Sequence, residues 1–275
     1  MNDILNNPAV QGGVAPFVAA LIVALVLGRA RLGGLAIVAA FATAVFFVAG
    51  FNFTPLTATR KIILLGLTAP IVGILADFAF KPTRLGGVVL ALAGAAAALW
   101  VFWPVLSQKA AAQAWLFGGT AVIATAWMVG FSQIFLSEHP IRAGSAGLGL
   151  GLGTGIAAIL SASASYGLYG IALGAGAGAF LLPQMISGRK TDAGATFMLP
   201  ATLTAGLVAA GAMVLAQLQW YSVLTLALVP VAARLPVPEK APLWLQAILV
   251  SLYTVIVAGA TCGLAWYFSR DAAAV

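Results

Sequence analysis

The sequence predicts an all-α polytopic membrane protein of about ten transmembrane helices. Three observations lead there. The chain of 275 residues is 63% hydrophobic and only 7% charged, against roughly 25% charged residues in a soluble domain. Its apolar residues come in runs of about 20, the length that crosses a bilayer as a helix. Short turns carrying Gly, Pro, Arg and Lys separate the runs, and these residues stop helices and anchor their ends.

The first run covers 11–28. The start before it, MNDILNNPAVQGG, lacks a basic stretch and carries Asp3. It reads as the lead-in to a true span and not as a cleaved leader. Further spans are predicted over 34–50, 62–80, 85–106, 114–136, 144–162, 166–186, 197–217, 219–235 and 243–268. Only SASASYG (161–167) divides the sixth from the seventh, and only QLQWY (217–221) the eighth from the ninth. Fusing either pair would give a helix of more than about 35 residues, too long for a bilayer, so turns are expected at both places.

The basic residues orient the chain. One set of turns holds Arg29, Arg31, Lys81, Arg84, Arg142, Arg189, Lys190, Arg234 and Lys240; the other holds Arg60, Lys61, Lys109 and Arg270. The richer side is expected to be cytoplasmic, which puts both termini on the non-cytoplasmic side. The alanine-rich composition suggests a bacterial inner membrane.

The cytoplasmic turns resemble one another. They read GRARLG (28–33), KPTRLG (81–86), HPIRAG (139–144), RKTDAG (189–194) and VPEKAP (237–242). Arg31, Arg84 and Arg142 each stand two residues before a glycine, Lys240 takes that place in the fifth turn, and Asp192 in the fourth. The turns recur about every 50 residues. The pattern suggests five tandem helical hairpins within one transmembrane domain, 1–275: 11–50, 62–106, 114–162, 166–217 and 219–268. Convergence remains open, because Gly, Pro and Arg suit any tight cytoplasmic turn.

The sixth and seventh runs are glycine-rich. Gly147, Gly151 and Gly155 are four apart, as are Gly170, Gly174 and Gly178, and Gly149 and Gly153 form a second series. Small residues at this spacing let membrane helices approach closely. The two helices are therefore expected to be central, or packed on another subunit. GLGLGTG is not a dinucleotide loop, since that loop opens a helix after a strand in a soluble sheet.

Asp77 is the acid placed clearly inside a span. A charge there is costly and often functional. Lys81, one turn on, offers a local ion pair as the structural explanation. Gln133 and Gln184 fall at similar depth in helices of the same direction. With Asp77 they either line a cytoplasm-facing vestibule for a solute or proton, or serve as interhelical hydrogen-bonding groups.

One cysteine, Cys262, and one histidine, His139, leave too few ligands for a zinc, di-iron or bis-histidine haem site. No cofactor, metal or catalytic residue is expected, and the chain does not read as an enzyme. The net charge of +7 fits cytoplasmic turns on anionic lipid and not nucleic acid, since no basic cluster exceeds two adjacent residues. The expected partners are the lipid bilayer and other membrane subunits or a second copy. The leading expectation is a transporter or channel-type protein for a small solute. The alternative is a cofactor-free structural or assembly subunit of a larger membrane complex.

Overall fold

A computed structural model of the chain describes residues 7–79, 83–238 and 240–273. Every helix or strand assigned among them is a helix. Ten helical segments follow in order: α1 (Val10–Ala30), α2 (Gly33–Val48), α3 (Ala58–Ala79), α4 (Arg84–Leu106), α5 (Ala111–Phe135), α6 (Pro140–Leu160), α7 (Ala164–Ser187), α8 (Gly194–Leu215), α9 (Trp220–Ala232) and α10 (Leu243–Ala273). Eight are long and apolar enough to cross a membrane, while α2 and α9 are shorter apolar helices.

Local chemistry sets the irregular places. Arg31 adopts the left-handed region, φ 61°, which ends α1 and starts α2. In α9 the α-helix stops at Leu226 and resumes at Val229. Pro230 has no N–H to give the carbonyl four residues back, and the break closes with a tighter bond from Leu228 N to Thr225 O, 3.0 Å. The chain turns at both narrow places in the sequence, after Leu160 and after Leu215. Those two turns meet, with Gln217 N donating to Ser161 O at 3.4 Å.

The glycine bias leads to the expectation that α6 and α7 are central, or packed on another subunit. The structure instead centres α8, whose apolar window is 94% buried, against 72% for α6 and 56% for α7. The reason is that α6 and α7 sink one face of each into the other, whereas α8 is enclosed by α3, α5, α6 and α7. Its small side chains, among them Ala205, Gly206, Ala209 and Ala210, are all buried. At the periphery α1, α4 and α10 are only 22%, 28% and 28% buried. They turn Ile22, Leu92, Trp103 and Ile256 outward, which suits a lipid face.

Glycine decides how close the helices come. A Cβ on Gly151 would strike the backbone of Gly174, and one on Gly170 the backbone of Gly155. Gly149 and Gly153 turn to α10, where added Cβ atoms would meet Thr254 at 2.6 Å and Ala258 at 2.8 Å. Thus α6 uses one glycine series against α7 and the other against α10. Gly147 faces Phe197 of α8 and Ala177 of α7. Gly178 corrects the expectation of a packing role for the whole series. Its nearest neighbours, Leu148 Cδ1 and Phe17 Cε2, lie at ordinary contact, 3.8 and 3.9 Å.

Gly151→Ala is expected to lower the unfolding free energy by about 1–3 kcal/mol through overpacking. Gly178→Ala should leave it unchanged or raise it by up to about 1 kcal/mol, because alanine is the better helix former. Thermal denaturation of the two variants in one detergent checks the contrast.

Candidate functional site

The basic turns come together at one end of the bundle, and the 188–196 segment is their meeting point. It leaves α7 through Gly188 (φ 64°) and enters α8 at Gly194 (φ 59°). Both angles lie in the left-handed region that glycine adopts without steric cost. Three side chains, Asp77, Gln184 and Arg31, and the backbone carbonyl of Ser137 hold the segment.

Asp77 makes the most concentrated of these contacts. Its Oδ1 accepts from Ala195 N at 2.7 Å, and its Oδ2 from Thr196 N at 2.7 Å and Thr196 Oγ1 at 2.6 Å. A helix N-terminus leaves its first N–H groups without internal partners and carries partial positive charge. Asp77 thus caps α8 from a different helix. Gly73 makes the reach possible. It lies one turn before Asp77 on the same face of α3, and a Cβ there would come within 2.6 Å of Ala195 O. Gly194 completes the fit, because a Cβ on it would strike the Asp77 carboxylate. Lys81 lies outside the described residues. The contacts seen at Asp77 are with α8 and remain partly open to solvent.

Gln184 is fully buried and also spent on this segment. Its Nε2 donates to Phe180 O at 3.0 Å, and its Oε1 accepts from Thr191 N at 3.1 Å. Gly194 N donates to Ser137 O at 3.1 Å, and Ser137 Oγ donates to Gln133 O at 2.7 Å. Arg31 Nε lies 3.4 Å from Asp192 Oδ2, both side chains largely exposed, so this pair adds little stability. The fourth turn's acid therefore faces the first turn's arginine. Arg142 Nη1 donates to Ala233 O at 2.6 Å and Leu235 O at 3.0 Å, tying the fifth turn to α6. Arg84 opens α4, where Thr83 Oγ1 accepts from Gly86 N at 3.0 Å. Arg84 and Lys240 are exposed.

Asp77, Gln133 and Gln184 do not line one vestibule. The first two are linked only through the 188–196 segment and Ser137, and Gln184 points at Thr191. Two cavities among the described residues lie at the other end. One, of about 40 Å³, is bounded by Leu160, Ser161, Gln217, Leu218, Gln219, Ala265 and Phe268. The other is a groove of about 330 Å³ along Lys61, Leu99, Trp100, Trp103 and Pro104.

A feature of which the sequence reading singled out only Gln133 lies deeper. Among the described residues, six buried side-chain polar atoms find no hydrogen-bond partner: Thr125 Oγ1, Ser132 Oγ, Gln133 Nε2, Thr154 Oγ1, Thr204 Oγ1 and Ser222 Oγ. Thr125, Ser132 and Gln133 share a face of α5, two turns apart. Thr125 faces Gly206 of α8, and Thr204 faces Gly66 of α3. Single serines and threonines at no fixed spacing gave no signal, and which of them would go unpaired depends on helix packing.

Comparison with protein-family models, curated proteins and solved structures returns no match.

Asp77→Ala is expected to destabilise the protein by about 0.5–2 kcal/mol, the usual cost of a lost helix cap. Asp77→Asn should fall between the two, since its amide nitrogen cannot accept from Thr196. Denaturant unfolding in detergent, with hydrogen exchange at Ala195 and Thr196, checks both the size and the place of the loss. His139, in the turn before α6, has its pKa held below the ordinary 6.5, first by partial burial and then by Arg234 and Arg142. A depressed histidine favours the folded state while neutral, so its contribution is present above pH 6.5 and is lost as pH falls through the folded value. Melting temperature measured downward from pH 7 should drop less in His139→Gln than in the wild type.

Proposed function

We propose that the chain is a ten-span membrane transporter or channel-type protein for a small, uncharged polar solute. Both termini lie on the non-cytoplasmic side in this reading. The meeting of the basic turns at one end supports that crossing pattern, since α2 and α9 must then traverse the bundle with the others.

The observation that carries the transport reading is the set of six unpartnered polar atoms inside an otherwise apolar bundle. Each such atom costs about 1–3 kcal/mol when it is left unpaired. Water or a hydroxylated solute passing along α5 and α8 would supply the partners missing at Thr125, Ser132, Gln133 and Thr204. The groups are hydroxyls and one amide, which fits an uncharged solute better than an ion. In this reading the network at Asp77, Gln184 and Arg31 closes the cytoplasmic end, and the broken helix α9 supplies the kind of discontinuity found near transport sites.

A structural or assembly subunit is the second reading. The 94% burial of α8 favours it, as does the use of Asp77 and Gln184 as fasteners.

Osmotic swelling of proteoliposomes in a small polyol tests the first reading. Wild-type protein is expected to speed swelling over protein-free vesicles. Thr125→Val should slow it about fivefold, the kinetic equivalent of one hydrogen bond. Swelling no faster than in empty vesicles, together with a stoichiometric protein partner on mild-detergent purification, would establish the second reading instead.

A further inference from the structure

The end of the bundle opposite the basic turns carries a cation, Lys61, that pairs with no carboxylate among the described residues. Lys61, near the start of α3, lies beside α4. Its Nζ donates to Trp100 O at 3.0 Å and sits 4.7 Å from the centre of the Trp100 ring. The carbonyl is available for a reason written in the sequence. Pro104 lies inside α4, four residues after Trp100, and has no N–H to bond that carbonyl. The indole face attracts the ammonium as well. Lys61 is therefore positioned by α4 and not left to wander, with N–H donors to spare.

The ammonium stands at one edge of the groove of about 330 Å³ formed with Leu99, Trp100, Trp103 and Pro104, a volume at the lower end of ligand-site sizes. Trp103 is 65% exposed and Trp100 45%. Tryptophans at this level of a membrane helix sit at the boundary between headgroups and hydrocarbon. The only ion pair among the described residues is Arg31–Asp192, at the far end of the molecule.

We propose that this groove is a binding site for an anionic phospholipid. The phosphate meets Lys61 Nζ, and an acyl chain lies against Leu99 and Trp103. The charge complementarity decides the occupant: a fixed ammonium beside an apolar groove whose lining holds no acidic residue suits a headgroup that brings its own negative charge. The site does not depend on whether the protein transports a solute.

Native mass spectrometry of the delipidated protein tests the proposal, with phosphatidylglycerol and phosphatidylcholine of matched chains titrated separately. The wild type should take up its first phosphatidylglycerol about fivefold more tightly than phosphatidylcholine, the effect of roughly one lysine near a headgroup. Lys61→Gln should remove that preference, Lys61→Arg should keep it, and Lys109→Gln should leave it unchanged. Equal affinity of the wild type for the two lipids, or an undiminished preference in Lys61→Gln, overturns the proposal. A phosphatidylglycerol with a photoreactive headgroup gives a reading on the wild type alone. Labelling centred on Lys61 and Trp100–Pro104 supports the site, and labelling confined to the basic turns refutes it.

Discussion

A helix enclosed along its length still has first N–H groups that need partners. Helix α8 is in that position, and the Asp77 carboxylate answers it with three hydrogen bonds at the N-terminus. Much of the neighbouring structure follows from this contact. Gly73 lets α3 lie against the start of α8, and Gly194 leaves room for the carboxylate. With the first turn of α8 fixed, Ser137 and Gln184 can reach the segment before it. That links the α5–α6 turn and the end of α7 to the same point. A carboxylate near the membrane is thus neutralised by backbone dipoles, and no basic side chain is needed to explain it.

Lipid offers no hydrophobic drive for apolar helices to leave it, so packing and hydrogen bonds must hold the bundle. The two glycine series of α6 divide that work. One meets α7 backbone to backbone and the other receives α10. Close contact of this kind also brings polar backbone groups near one another, and the hydroxyls of Ser145, Ser251 and Thr254 connect α6 with α10 across that seam.

The helical architecture was legible because its cause is local. Runs of about 20 apolar residues need no partner to be recognised, and even the narrow breaks at SASASYG and QLQWY carried enough polarity to mark turns. Asp77 stood out by the cost of placing a charge in a span. Its partners did not, because two of the three are backbone N–H groups, which carry no letter in a sequence. Lys81 was the visible candidate because it is close in the chain, and it lies outside the described residues. Centrality was misread for a related reason. Glycine records how near two helices come, whereas enclosure on all sides is recorded more faintly, in the run of Ala, Gly and Thr through α8.

The partners of Asp77 lie 118 and 119 positions further along the chain. A chain made from its N-terminus therefore inserts α3 well before α8 exists. Through that interval the carboxylate lacks the N–H groups it will cap. Its place near the end of α3, open to solvent even in the finished bundle, lets it wait there without being trapped in hydrocarbon. The cap is thus a late event in assembly. It joins two segments made far apart in time, and marks the point at which the first half of the chain is held in register with the second.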